Sequence, residues 1–449
     1  MIKFPKDFIW GVATSSFQIE GATQVDGRAP SIWDTLCDRP GAIADGTNGH
    51  IACDHYNRWP EDVAIMKSMG VDAYRFSIAW PRVIPQGRGA TNKKGIDFYD
   101  RLVDGLLAAG IDPCVTLYHW DLPQALEDHG GWTNRDTAFA FAEYTDVVTQ
   151  ALGDRVKSWI TMNEPWCISV LGYVNGEHAP GIKNDWPKAL AATHHVLLGH
   201  GLAMPIIKRN VPDCEAGITV NLVPNEPAST SQQDRDACRA FDGFFNRWYL
   251  DPLYGRGYPA DRVADMVKQG DIPSGTLPFL EEGDLDIIAT ETDFLGINYY
   301  SRAVIRDDKS EDNLPQEVFQ TENVTDMGWE VWPLGLENIL VRLKEDYAPP
   351  AIQVTENGAA YPTGPNADGV VDDAERIAYL DGHVRASHNA IKRGVPLTAY
   401  YAWSLLDNFE WAFGYEKRFG LVHVDYDTLV RTPKASAWWY RDVIKGNGL

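Results

Sequence analysis

The sequence of 449 residues predicts an α/β fold, a single (β/α)8 barrel with elaborated βα loops spanning 1–449, on three observations. Eight short apolar segments of strand length recur along the chain, helical patterns separate most of them, and no Ser/Gly-rich or Pro-rich linker divides the chain into two halves. Alternating β and α units imply parallel strands, and eight such strands imply a closed barrel.

The eight segments are 8–18, 73–80, 112–120, 156–163, 216–222, 293–300, 351–356 and 396–403, each with the length and composition of a strand. Helical patterns fall at 60–70, with Pro60 at the start and Gly70 at the stop, and then at 96–110 and 135–152. The next is 186–208, with Asp185 as cap and Pro187 in the first turn, followed by 335–346 and 373–393. A last segment, 433–445, opens on Pro433 and holds Trp438 and Trp439, which predicts a closing helix packed on the barrel wall. A barrel core takes roughly 250 residues, so about 200 remain for loops. The expected insertions are 37–59, 173–185, 223–232, 306–328 and 361–372.

Composition narrows the function. A chain with 44% hydrophobic and 23% charged residues is neither disordered nor collagen-like. The balance of 40 basic against 63 acidic residues, a net charge of −23, repels phosphate backbones and anionic lipid, and no local basic stripe offsets it. Neither a nucleic-acid nor a membrane partner is expected. Six cysteines without a C-x-x-C pair, an N-terminus without signal-peptide character and no unbroken apolar run of about 18 residues point to a cytoplasmic location. The 16 tryptophans serve either as core filling or as flat walls for ligands with flat faces, such as sugars.

At the C-terminal ends of the predicted strands, apolar residues give way to polar ones: Gln18 and Glu20, Arg75, His119 and Asp121, Asn163 and Glu164, Asn221, Asn298 and Tyr300, Glu356, then Trp403, Asp407, Glu410 and Trp411. In a barrel these ends converge on one face, where such folds build their chemistry. Two carboxylates stand in distinctive settings, Glu164 in T-M-N-E-P and Glu356 in V-T-E-N-G, on the fourth and seventh strands. A pair of carboxyl groups facing across a cleft suits glycoside cleavage, one protonating the departing oxygen and the other meeting the anomeric carbon. Metal catalysis is not expected: His119 and Asp121 form the one His-x-Asp pair near a strand end, and the adjacent His194 and His195 point in different directions on a helix. No lysine occupies a strand end for Schiff-base chemistry, and no glycine-rich nucleotide loop is present.

Seven ordered blocks carry a resemblance to the β-glucosidases of family-one glycoside hydrolases from end to end. They are F-I-W-G-V-A-T-S-S-F-Q-I-E-G from Phe8, Y-R-F-S-I-A-W-P-R from Tyr74, L-Y-H-W-D-L-P from Leu117, T-M-N-E-P from Thr161, G-I-N-Y-Y from Gly296, V-T-E-N-G from Val354 and W-S-L-L-D-N-F-E-W from Trp403. The resemblance implies a retaining exo-β-glycosidase without a cofactor or metal, removing terminal β-D-glucosyl units and acting also on β-galactosides and β-fucosides. The expected partners are small-molecule β-glucosides and cello-oligosaccharides, and a homo-oligomer is compatible with the sequence. Two alternatives stand beside it: a relative that mainly transfers the glycosyl group, and a sugar-binding homologue without catalysis.

Carried over by residue, Glu164 resembles the general acid/base and Glu356 the nucleophile, with Arg75 and Tyr300 beside Glu356 to hold it ionised. Asn163 resembles the donor to the sugar 2-hydroxyl. Gln18, His119, Trp120, Asn298, Glu410 and Trp411 resemble sugar-binding residues, and Trp403 and Phe419 would wall the apolar face. Glu410 is expected as a charged acceptor, which implies a free rather than a phosphorylated 6-hydroxyl. Trp166, Cys167 and Trp329 fall on the leaving-group side, where the family varies.

Overall fold

The computed structural model describes residues 2–272, 275, 277–307, 316–318 and 320–449. Eight parallel strands close a ring in chain order: β1 (Ile9–Ala13), β2 (Ala73–Ser77), β3 (Asp112–Tyr118), β4 (Ser158–Asn163), β5 (Glu215–Asn221), β6 (Phe294–Asn298), β7 (Ile352–Asn357) and β8 (Leu397–Trp403). β8 pairs back onto β1 with Ile9 opposite Ala399 and Ala13 opposite Trp403, which leaves no open edge. Strands buried on both faces read as nearly unbroken apolar runs, and β2, β6 and β7 are buried at every position. Each of the eight predicted strand segments overlaps one barrel strand.

The outer helices follow from apolar stripes. In the helix Lys93–Ala109 the buried residues Gly95, Phe98, Tyr99, Leu102, Val103 and Leu106 recur every three to four positions, and Gly110 ends the helix at φ 80°. The helix Trp186–Asn210 opens as expected, the Asp185 side chain accepting from the Lys188 amide at 3.2 Å. By length and composition this helix is apolar enough to cross a membrane, although the sequence holds no unbroken apolar run of that length; 78% of its most apolar stretch is buried inside the fold.

Three expectations are corrected. The helix expected at 60–70 spans His55–Met69, with Pro60 inside rather than at its start, and two short helices, Ser16–Ile19 and Ile32–Cys37, precede it. Its beginning is pinned from elsewhere in the fold: His55 Nδ1 lies 2.7 Å from Asp62, whose other carboxylate oxygen pairs with Arg431 at 2.9 Å. Between β5 and β6 the sequence suggested only an insertion at 223–232. In the structure Gln232–Asp242, Gly243–Arg247 and Trp248–Leu253 follow one another without a gap, with Pro252 inside the last, and Ala260–Gln269 and Asp284–Ile288 come after Pro259; Gln232–Asp242 is largely polar, with Asp234, Ala237 and Cys238 its buried residues. In the closing helix, Ala435–Gly446, Ala437, Tyr440 and Val443 face inward and Trp439 is half-buried, but Trp438 is exposed and lies 5.1 Å from the Arg441 guanidinium. Of the predicted insertion at 306–328, residues 308–315 and 319 lie outside the described residues; 361–372 forms neither helix nor strand.

Candidate active site

β4 and β7 lie three places apart one way round the ring and five the other, so their ends face each other across its mouth. Both strands slip register as they end, β4 against β5 between Ile160 and Asn163, and β7 against β6 between Val354 and Glu356. Such irregularities re-aim side chains beside functional sites. Glu164, the residue after β4, has φ 51°, and Trp120 and Trp411 also sit in the left-handed region at φ 80° and 51°. Non-glycine residues are held there only when surrounding contacts over-determine the backbone, a pattern concentrated at functional sites. The glycine of V-T-E-N-G has a separate reason: a Cβ on Gly358 would stand 1.8 Å from the Trp403 carbonyl oxygen, so only glycine lets the ends of β7 and β8 approach this closely.

One chain of hydrogen bonds connects the two carboxyl groups. Arg75 Nη1 donates to Glu356 Oε1 at 2.6 Å and its Nη2 to Asn163 Oδ1 at 2.7 Å. Asn298 Nδ2 donates to the same Asn163 oxygen at 3.0 Å and to Glu164 Oε1 at 2.7 Å. Tyr300 Oη donates to Glu356 Oε2 at 2.7 Å, and the Cys167 thiol donates to Glu164 Oε2 at 3.0 Å. Glu356 thus faces a guanidinium and a phenol, while Glu164 faces an amide and a thiol, both uncharged.

The electrostatics follow that asymmetry. Burial, then the charge of Glu356, pushes the Glu164 carboxyl up to about 7 against the pull of Cys167, Asn298 and Arg75. Burial raises Glu356 as well, opposed first by the Arg75 charge and then by the Tyr300 hydroxyl. A proton shared by this pair therefore resides on Glu164. Burial, then the charge of Glu356, keeps Tyr300 a phenol, and burial, then the Arg75 charge, keeps His119 neutral.

A cavity of about 850 Å³ opens above the pair. Its wall includes His119, Trp120, Glu164, Trp166, Cys167, Asn221, Asn298, Tyr300, Trp329, Glu356, Trp403, Glu410, Trp411 and Phe419. Gln18, Arg75 and Asn163 stand behind this wall. Gln18 Nε2 donates to the Phe409 carbonyl at 2.9 Å and reaches Glu410 Oε2 at 3.4 Å; Asn163 Nδ2 donates to His119 Nε2 at 3.2 Å. The His119 ring lies nearly parallel to both Trp403 and Trp411, 15° from each, with centroids 5.8 and 5.9 Å away.

Burial, then the charges of Glu356 and Glu164, pushes the Glu410 carboxyl up to about 8, against the hydrogen bond from Gln18. Three other strand-end acids serve the scaffold. Glu20 pairs with Arg82 at 3.0 Å, Asp121 accepts from Ser16 at 2.7 Å, and Asp407 pairs with Lys434 at 2.8 Å. Among the described residues no cluster of three or more His, Cys, Asp or Glu could hold a metal ion.

The cavity also takes residues that no sequence pattern marked. His178 and Met327 come from loops, Phe413 from the short 3-10 helix Trp411–Phe413, and Phe241, Phe244, Phe245 and Arg262 from the helices between β5 and β6. The only local signal is the aromatic run around Phe244 and Phe245, which reads equally well as core.

The family model described as Glycosyl hydrolase family 1 matches residues 1–449. The chain is 48% identical to Beta-glucosidase A of Acetivibrio thermocellus over 450 residues, covering 100% of this chain and 99% of that protein. It is 42% identical to a bifunctional beta-D-glucosidase/beta-D-fucosidase of Bifidobacterium breve, covering 98% of each. A solved family 1 β-glucosidase from Thermotoga maritima superposes with a TM-score of 0.95 at 45% identity, covering 100% of both chains.

Proposed function

Because the chain belongs to glycosyl hydrolase family 1, we propose that it is a retaining exo-β-glycosidase that removes terminal, non-reducing β-D-glucosyl units, with β-galactosides and β-fucosides as further substrates. The observation that carries this reading is the hydrogen-bond chain running from Glu164 through Asn298, Asn163 and Arg75 to Glu356, with the resting proton on the Glu164 side.

In the first step Glu356 attacks the anomeric carbon while Glu164 passes its proton to the departing glycosidic oxygen, leaving the sugar as an ester on Glu356. In the second, Glu164, now an anion, takes a proton from water, whose oxygen attacks the same carbon and frees Glu356. Two inversions at one carbon give net retention. His119, Trp120, Glu410 and Trp411 bind the sugar hydroxyls, Gln18 and Asn163 reach them from just beneath the wall once the sugar is seated, and Trp403 and Phe419 wall its apolar face. Trp166 and Trp329 border the leaving group. Cellulose-derived oligosaccharides and other soluble β-glucosides are the substrates this pocket suits, and six free cysteines are in keeping with a cytoplasmic setting.

A panel of aryl β-glycosides and short β-linked oligosaccharides, scored by kcat/KM, tests the reading: β-glucosides are expected to rank first. Absence of turnover on every β-glucoside, or a sugar-bound crystal structure with the carboxyl groups about 6.5 Å or more apart in an undistorted site, would overturn it; retention requires about 5–5.5 Å.

kcat/KM falls above about pH 7 as Glu164 loses the proton that it must donate, and falls in acid as Glu356 gains one. The Cys167 thiol donates to Glu164 and so favours its ionised form. Replacing it by a side chain without a donor, Cys167→Val, is expected to raise the Glu164 pKa and move the alkaline limb upward by ~0.5–1 pH unit. Cys167→Ser keeps a donor and should leave the limb in place. An unmoved limb in Cys167→Val would show that the thiol has no hold on the acid.

A further inference from the structure

The cavity extends beyond the sugar-binding residues. Starting at Trp166, two residues after Glu164, a row of aromatic rings leads along its wall: Trp166 packs on Phe245 with centroids 4.4 Å apart at 32°, and Phe245 stacks on Phe241 at 5.4 Å and 12°. All three line the cavity. Flat apolar rings in series offer stacking surface to a flat ligand at little entropic cost.

Arg262, on the helix Ala260–Gln269, lines the same cavity. It is 4% exposed, yet it enters no ion pair among the described residues. The carboxylates on its own helix, Asp261 and Asp265, are taken by Arg239 and Arg247. Its Nη1 donates to Gln269 Oε1 at 3.1 Å, its Nε has no partner among the described residues, and its guanidinium carbon lies 5.7 Å from the Phe244 ring. Burial draws this arginine below its ordinary pKa, opposed first by the charge of Asp271 just beyond the helix end, which forms no ion pair with it. The acids at the cavity mouth, Asp236, Asp307 and Glu177, are solvent-exposed, where water and salt screen them, and the exposed Lys268 opposes them in sign. Of the cavity's cations among the described residues, Arg262 is the one buried in its outer wall without a salt bridge, Arg239 and Arg302 being held by carboxylates.

We propose that the outer part of the cavity binds a leaving group built as a flat aromatic body carrying a carboxylate, with Trp166, Phe245 and Phe241 holding the body and Arg262 the charge. This rests on the β-glycosidase reading above and names the class of β-glucoside served: glucosides of phenols that bear a carboxylic acid. A guanidinium is matched to that group, since its planar donors can meet both carboxylate oxygens.

The test compares β-glucosides of 4-hydroxybenzoate and 4-hydroxycinnamate, which differ in reach, with their neutral methyl esters, in the full-length chain and in Arg262→Gln. Taking the acid-to-ester ratio of kcat/KM in each protein, and dividing one by the other, cancels the intrinsic reactivity of the phenols. The ratio is expected to fall about tenfold to a hundredfold in Arg262→Gln for at least one pair, through KM. Arg262→Lys should keep part of it. A ratio that Arg262→Gln leaves unchanged for both pairs overturns the proposal. A second measurement needs no variant: free 4-hydroxycinnamate should inhibit the wild-type enzyme at a concentration at least about tenfold below its amide, and equal inhibition counts against the site. Cellobionate against cellobiitol separates a carboxylate on an open-chain sugar acid from one on an aromatic body. A preference confined to cellobionate overturns the aromatic assignment. If 4-nitrophenyl β-glucoside is not turned over by the wild type, the β-glycosidase reading itself fails; if it is, and the acids gain nothing, only this proposal does.

Discussion

Glu356→Ala is expected to abolish turnover of β-glucosides, by at least about 10⁴-fold in kcat, and to regain product formation when azide is added. Truncation removes the carboxylate proposed to bond to the anomeric carbon, but leaves an anion-sized gap between Arg75 Nη1 and Tyr300 Oη, which now hold 2.6 and 2.7 Å bonds to the lost oxygens. A small anion entering that gap approaches the sugar from the face that Glu356 used. With an activated aryl β-glucoside, a single displacement there yields the α-glucosyl azide. Losing one partner of a buried ion pair also costs stability, about 3–5 kcal/mol, so the variant should melt below the parent. Rescue by azide shows that the site is nonetheless formed. A β-configured azide product, or a variant that keeps its activity, removes Glu356 from the nucleophile role.

The barrel was legible because its strands obey a local rule: runs such as Ala73–Ser77 and Phe294–Asn298 are buried on both faces and must be apolar throughout. The helices with long stripes, such as Lys93–Ala109, were legible for the same kind of reason. Elements whose boundaries are set by distant partners were not. The start of His55–Met69 depends on Asp62 and Arg431, 369 positions apart in sequence, and nothing near Pro60 reveals that. At the site, Glu164, Glu356 and Arg75 stood out because strand ends and ordered motifs locate them. The raised pKa of Glu410 did not, since it arises from burial and from two other carboxyl groups that reach the same cavity only in three dimensions. Arg262 was invisible on similar grounds. An arginine on a short helix is ordinarily a solvated surface charge, and only the fold shows it buried.

Glu164→Ala is expected to separate substrates by their leaving groups. With a 2,4-dinitrophenyl β-glucoside the departing phenolate needs no proton, so Glu356 still forms its ester and the first step should slow by less than about tenfold, whereas alkyl glucosides and cellobiose should lose the 10²–10⁴-fold that general acid catalysis contributes. The second step suffers in either case, because no base remains to take a proton from water. With the activated substrate the ester should therefore accumulate, visible as a burst of dinitrophenolate followed by slow turnover, and azide should speed the slow phase and give the β-glucosyl azide by a second inversion. The alkaline limb of kcat/KM should disappear for this substrate, since the group whose pKa stands near 7 is gone. Asn298 and Cys167 lose a shared acceptor but no charge partner, so stability should change less than in Glu356→Ala. Equal losses on activated and unactivated glucosides, with no burst, would assign the proton transfer to another residue and leave Glu164 as a binding group.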